Sequence, residues 1–290
     1  MQRLRFKAHV DRFYLLAPAL VLLGTFVIAF GVYCALHLAG RAPEIAGVKH
    51  NELFGPFMAG FLVWLIRPLE RLLLGRVAPN VITVASLSLC AVTGLAVALG
   101  HLPGAVWLYV FAGILDVLDG RLARLGGKPT AAGALFDSVS DRWGELFVFS
   151  GYAWYVHDSA WLLAVMAAIG GSMMVSYTRA RAEGLGVALA GGIMQRAERI
   201  VLVAGGTLLA AYYGTEDAAL VPTILGITLL ACGIASTATA IHRWIVAYRE
   251  LAARSAQPSV TLPEPVLAPP RPAISLAPPE LRKVRPLEQH

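Results

Sequence analysis

DVLDGRLARLGGKPTAAGALFDSVSD, residues 116–141, sets Asp116, Asp119, Asp137 and Asp141 between two segments apolar enough to cross a membrane. A carboxylate in a spanning helix costs about 2.5–3.5 kcal/mol on insertion scales, so four unpaired ones would oppose insertion by about 10–14 kcal/mol. Something must compensate, and divalent cations are the natural candidate. Asp116 and Asp119 are three residues apart and Asp137 and Asp141 four apart, so on helices each pair projects from one face. Two such faces opposed in a bundle would offer four hard oxygen ligands, a set that suits Mg²⁺ or Mn²⁺ and could hold two ions close together. Gly120 follows Asp119 and Gly133 lies one turn before Asp137, where a missing side chain lets a ligand approach the backbone. Arg124, on the side shared with Gly120, could meet a phosphate.

Composition supports a membrane setting. Hydrophobic residues make up 57% of the chain and charged ones 14%, with a mean hydropathy of +0.66, which points to an integral membrane protein. The formal charge of +6 comes from cations at the ends of apolar stretches. There they satisfy the positive-inside rule and attract anionic lipid headgroups, so nucleic acid is not the expected partner. Cys34, Cys90 and Cys232 sit inside apolar segments without short mutual spacing, which argues for packing rather than a disulfide or thiolate site.

Outward from the aspartates, apolar stretches over 81–99, 105–118, 134–156, 160–177, 200–213 and 218–241 predict an all-α, six-helix transmembrane bundle. Turn signals separate them at HLPG (101–104), GGKP (126–129) and the glycine-rich run near 184–192. Arg121, Arg124 and Lys128 follow the second stretch, and Arg179, Arg181, Arg196 and Arg199 lie between the fourth and fifth, which puts both loops on the cytoplasmic side. The expected organisation is a basic N-terminus with an extra transmembrane helix (1–54, apolar over 14–38), an amphipathic or membrane-crossing helix (55–78), a core domain (79–250) and a proline-rich tail (251–290) whose composition predicts disorder.

As a pattern the opening stretch reads D-x-x-D-G-x-x-A-R-x8-G-x3-D-x3-D, carried by Asp116, Asp119, Gly120, Ala123, Arg124, Gly133, Asp137 and Asp141. This resembles the full signature of the CDP-alcohol phosphotransferase family, and the likeness extends from about residue 68 to 243. The resemblance implies a six-span enzyme of phospholipid synthesis in the cell membrane, commonly a homodimer. In such an enzyme an alcohol attacks the β-phosphorus of CDP-diacylglycerol and CMP leaves. It implies that the four aspartates hold the metals and that Asp141 also takes the proton from the attacking hydroxyl, consistent with metal-assisted phosphoryl chemistry beside a general base. Gly120, Arg124, Thr130 and Gly133 would lie against the CDP-lipid, together with the Pro-Asn element Pro79, Asn80, Val81 and Ile82. On sequence alone that element reads equally well as a helix start with Asn80 as its cap.

The acceptor depends on a second stretch, SYTRARAEGLG at 176–186 followed by GGIMQRAER at 191–199, with Arg243 at the end of the last span. Guanidinium groups bind phosphate through paired hydrogen bonds, so converging arginines favour a phosphorylated polyol. Basic residues at cytoplasmic helix ends are also expected from topology alone, and Glu183 or Glu198 could pair with some of them. The segment resembles the branch of the family that uses inositol 1-phosphate, in which Arg179, Arg199 and Arg243 would bind the acceptor phosphate. Glycerol 3-phosphate, the acceptor in phosphatidylglycerophosphate synthesis, presents the same charge. A cation transporter is the competing class, since intramembrane aspartates also line ion paths.

Overall fold

The computed structural model describes residues 17, 18, 21, 24–41, 55–127, 130–189 and 191–256, and all regular structure among them is helical. The helices are α1 (Gly24–Leu38), α2 (Gly55–Leu73), α3 (Pro79–Ala98), α4 (Leu102–Leu125), α5 (Ala131–Tyr155), α6 (Leu162–Gly184), α7 (Arg196–Gly214) and α8 (Leu220–Ala256). The basic N-terminal residues 1–12 and the proline-rich stretch from 257 lie outside the described residues. By chain contacts residues 1–251 form one unit and 252–290 a second. The site belongs to the first.

Each of the six core stretches expected from hydropathy is a helix, and several run on past the apolar window. α4 continues from 118 to Leu125, α6 to Gly184 and α8 to Ala256. Hydropathy marks the part of a helix that lipid can cover, whereas the charged turns beyond it keep their backbone hydrogen bonds in the headgroup layer. Among the described residues four helices, α3, α4, α6 and α8, are long and apolar enough to cross a membrane. α5 and α7 are helical throughout, but charged groups occupy the ends that face the site: Asp137, Asp141, Arg142 and Glu145 on α5, and Arg196, Glu198 and Arg199 on α7. α1 packs on α2 through an aromatic cluster in which Tyr33 meets Phe57, Phe61 and Trp64.

Local signals set the element boundaries nearest the site. α3 starts at Pro79, whose fixed φ suits the first helical position. Its cap residue is Ala78, which offers no side-chain hydrogen bond, so Asn80 is not the cap that sequence allowed. A pyrrolidine already removes the first orphan N–H, and Asn80 sits one residue inside the helix. α5 starts on a side-chain cap: Thr130 Oγ1 accepts from the Gly133 amide at 3.0 Å.

Successive helices run antiparallel, so the start of α3, the end of α4, the start of α5, the end of α6 and the start of α7 meet at one end of the bundle. α3 packs against both α4 and α5, α4 against α7, and α5 against α6. The α3–α5 crossing is tight because Gly94 and Gly151 face each other. A Cβ on Gly151 would collide with the Gly94 backbone, and one on Gly94 with the Phe147 carbonyl. α8 is held on α6 the same way, since a Cβ on Gly171 would sit 2.8 Å from the Gly233 carbonyl oxygen. Without an aqueous driving force between helices in lipid, such small-residue contacts are what allow close backbone packing. The main core lies among α3 to α8 and includes Val97, Tyr109, Phe149, Tyr152, Val165 and Leu229.

Candidate active site

Three of the four aspartates converge. Asp116 and Asp119 from the last turns of α4 and Asp137 from the first turns of α5 each bring a carboxylate oxygen within 4.8 Å of the others. Asp119 is buried, with 3% of its surface exposed. Its Oδ2 accepts from the Thr83 hydroxyl of α3 at 2.6 Å, while Oδ1 is buried without any hydrogen-bond partner. An unpartnered buried carboxylate oxygen is costly unless something cationic meets it. Two more carboxylates alongside make the set fit a divalent cation, which would neutralise phosphate charge here.

Asp141 is placed differently. It lies on α5 one turn beyond Asp137, but its Oδ1 forms an ion pair with Nη1 of Arg196, the first residue of α7. The same Nη1 donates to Asp116 Oδ1 at 2.6 Å, so one guanidinium nitrogen links α4 to α5. Arg142 approaches the other Asp141 oxygen at 3.9 Å. Arg196 was one of a basic cluster in the sequence, with nothing in its spacing to mark it as the partner of two aspartates far upstream.

Two cavities flank the aspartates. One, of about 400 Å³, is lined by Pro79, Asn80, Thr83, Asp119, Gly120, Arg124, Thr130, Gly133 and Asp137. This gathers the residues expected to contact the CDP-lipid, apart from Ile82, which is buried against Leu118 and Leu122, and Val81, which is exposed on the outer face of α3. A Cβ at Gly133 would come within 3.1 Å of Thr130 Oγ1 and 3.8 Å of Asn80 Oδ1, so the glycine keeps this corner open.

The other cavity, of about 150 Å³, is lined by Asp141, Arg142, Glu145, Arg179, Arg196, Arg199 and Arg243 among others. The three arginines expected at the acceptor therefore share one space beside Asp141. They are not equally available. Arg199, 3% exposed, donates from Nε and Nη2 to Glu145 Oε1 and from Nη1 to the Met194 carbonyl at 3.1 Å. Ser172 of α6 donates to the other Glu145 oxygen. Arg243 donates to the Gly191 carbonyl at 2.6 Å and to the Val175 carbonyl at 3.1 Å. Gly191 and Gly192 have φ of +82° and +119°, a backbone that side chains rarely adopt, and it turns the Gly191 carbonyl toward Arg243. Arg179 is exposed and pairs with Glu183 one turn on, at 2.8 Å. Glu145 escaped the sequence reading, although its place four residues after Asp141 on the same helical face was a usable signal.

Comparison with known proteins identifies the family. A family model described as CDP-alcohol phosphatidyltransferase matches residues 76–239, more than half the chain. The chain belongs to that family. As a CDP-alcohol phosphatidyltransferase it is a membrane enzyme of phospholipid synthesis, and the cation-transporter reading falls away. The archaetidylinositol phosphate synthase of Methanothermobacter thermautotrophicus is 34% identical over 148 residues, covering 49% of this chain and 75% of that one. The phosphatidylinositol phosphate synthase of Mycolicibacterium smegmatis is 30% identical over 189 residues, covering 62% of this chain and 82% of that one. Among solved structures, the Mycobacterium tuberculosis phosphatidylinositol phosphate synthase with CDP-DAG bound aligns with a TM-score of 0.57 at 27% identity, over 64% of this chain and 94% of that one. The same enzyme in complex with manganese and citrate aligns at 0.54 and 28% identity, over 62% and 88% of the two chains.

Proposed function

We propose that this phosphatidyltransferase transfers the phosphatidyl group of CDP-diacylglycerol to inositol 1-phosphate, with release of CMP. The observation that carries the acceptor is the small cavity in which Arg179, Arg199 and Arg243 gather beside Asp141. A dense cationic wall next to the proposed base selects an acceptor that is a phosphate monoester. The names of the relatives described above, an archaetidylinositol phosphate synthase and a phosphatidylinositol phosphate synthase, support the inositol ester over glycerol 3-phosphate.

In this reading the cavity behind Pro79, Asn80, Gly120, Arg124, Thr130 and Gly133 takes the CDP-lipid. Asp116, Asp119 and Asp137 hold Mg²⁺ or Mn²⁺, with Asp141 completing a second ion site. The bound ions would supply charge neutralisation at the pyrophosphate. Asp141 accepts the proton of the attacking hydroxyl as the new P–O bond forms and the bond to CMP breaks. α5 and α7 cross the membrane with the other four core helices, because the antiparallel order requires a return after each crossing. The site end faces the cytoplasm, α1 is an additional membrane segment, and the enzyme is a homodimer with a core domain over 79–250.

Purified protein in detergent with Mg²⁺ or Mn²⁺ is therefore expected to release CMP from CDP-diacylglycerol when given inositol 1-phosphate, and Asp141→Asn to abolish this. Glycerol 3-phosphate, free inositol and serine run alongside identify the acceptor; release with none of the four would sink the enzyme reading. Arg179→Ala should raise the acceptor KM far more than the CDP-lipid KM, and equal effects would count against the phosphate pocket. Arg179 suits this test better than Arg199, whose removal strands Glu145 as a buried charge and costs about 3–5 kcal/mol of stability.

A further inference from the structure

The arginines around the acceptor cavity differ in what holds them. Arg199 and Arg243 have Nε and both terminal nitrogens committed to protein acceptors, Glu145 and backbone carbonyls that take no part in the chemistry. Among the described residues Arg196 has as its charged partners only Asp116 and Asp141, both through Nη1, and its Nε is buried without a hydrogen-bond partner. It lines the same cavity, so a phosphate bound there lies within the reach of its fork. A buried donor without an acceptor favours any exchange that satisfies it. A phosphate monoester can take Nε and a terminal nitrogen together, whereas Asp116 and Asp141 share a single nitrogen.

We propose that Arg196 restrains Asp141 until the acceptor arrives. Asp141 Oδ1, an oxygen that could receive the hydroxyl proton, is already ion-paired with the Arg196 guanidinium. The acceptor's phosphate draws Arg196 off both carboxylates, which frees Asp141 for the hydroxyl and Asp116 Oδ1 for a cation. Water carries no anion and cannot trigger this exchange. The enzyme is thereby protected against the wasteful reaction in which water replaces the alcohol, its oxygen bonds to the β-phosphorus, the bond to CMP breaks, and phosphatidic acid and CMP result. This rests on the reading of the chain as a transferase to a phosphorylated acceptor.

The test compares full-length wild type, Arg196→Gln and Arg196→Lys in two measurements. The first is CMP release from CDP-diacylglycerol with and without inositol 1-phosphate. Arg196→Gln is expected to raise acceptor-free release about tenfold, within the ordinary range of coupled sites, while transfer falls. A variant in which both rates fall together marks Arg196 as merely structural and overturns the proposal. Arg196→Lys keeps a cation for the carboxylates but loses the fork, so it should hold acceptor-free release low with a raised acceptor KM; a wild-type KM would overturn the exchange. The second measurement needs no turnover: Mn²⁺ binding by electron paramagnetic resonance without CDP-lipid, corrected for Mn²⁺ held by free phosphate ester. Inositol 1-phosphate should tighten Mn²⁺ binding to the wild type, and Arg196→Gln should bind tightly without it. An equal response in both proteins would overturn the proposal. Wild-type CMP release that responds to neither inositol 1-phosphate nor glycerol 3-phosphate would instead defeat the acceptor reading, before any variant is compared.

Discussion

Thr83 shows how a residue outside the aspartate motif supports it. Its hydroxyl holds Asp119 Oδ2 and so turns Oδ1 into the buried, unpartnered oxygen beside Asp116 and Asp137. Groups that hydrogen-bond a ligating carboxylate fix its orientation, and their loss costs about 10–100-fold in metal affinity. Thr83→Val, which keeps the shape and deletes the donor, should weaken Mn²⁺ binding by at least about tenfold in a spectroscopic titration. Unchanged affinity would mean that Asp119 does not hold the ion. The four aspartates and Arg124 could be picked out from spacing alone. Thr83 and Arg196 could not, because each acts across helices on an aspartate far away in sequence, Thr83 on Asp119 at a separation of 36 residues and Arg196 on Asp116 at a separation of 80.

At the scale of elements, the site depends on how closely α3 and α5 approach, since α3 brings Asn80 and Thr83 and α5 brings Asp137 and Asp141. The contact of Gly94 with Gly151 sets that approach well away from the site. Gly151→Ala would drive a methyl into the α3 backbone, which cannot yield as a side chain can, and should destabilise the protein by about 3 kcal/mol. Gly170→Ala on α6, with nothing within 4 Å of its Cβ, should leave the melting temperature unchanged or raise it slightly. A thermal melt of the two variants in the same detergent checks this, and equal melting temperatures would show that the crossing is not glycine-limited. The buried pair of Glu70 on α2 with Arg121 on α4 ties a further helix to the motif-bearing one. Sequence located α2 through its apolar run and its charges, but not the partner that lets Glu70 be buried.

For the whole molecule, charge is divided between the two ends of the bundle. Between the core helices α3 to α8, the loops away from the site, at 99–101, 156–161 and 215–219, contain Asp158, Glu216 and Asp217 and no lysine or arginine. The site end carries Arg121, Arg124, Arg179, Arg181, Arg196, Arg199 and Arg243. By the positive-inside rule this asymmetry supports the proposed cytoplasmic orientation of the site. In a background with Cys34 replaced by serine, and with Cys90 and Cys232 buried, a membrane-impermeant maleimide should label Asp158→Cys on intact cells. It should label Gly184→Cys only after lysis, and the reverse pattern would invert the orientation.

By itself the sequence determined that this is a helical membrane protein of the CDP-alcohol phosphatidyltransferase family, and which aspartates and glycines form its motif. Hydropathy and short spacings along one helix are local properties, written directly in the order of residues. Only the tertiary structure decided that Asp116, Asp119 and Asp137 converge while Asp141 turns to Arg196, and that Arg199 and Arg243 are held by Glu145 and by backbone carbonyls. Those pairings join side chains on different helices. Their distances follow from how glycine contacts and buried ion pairs bring the helices together, which no single stretch of sequence records.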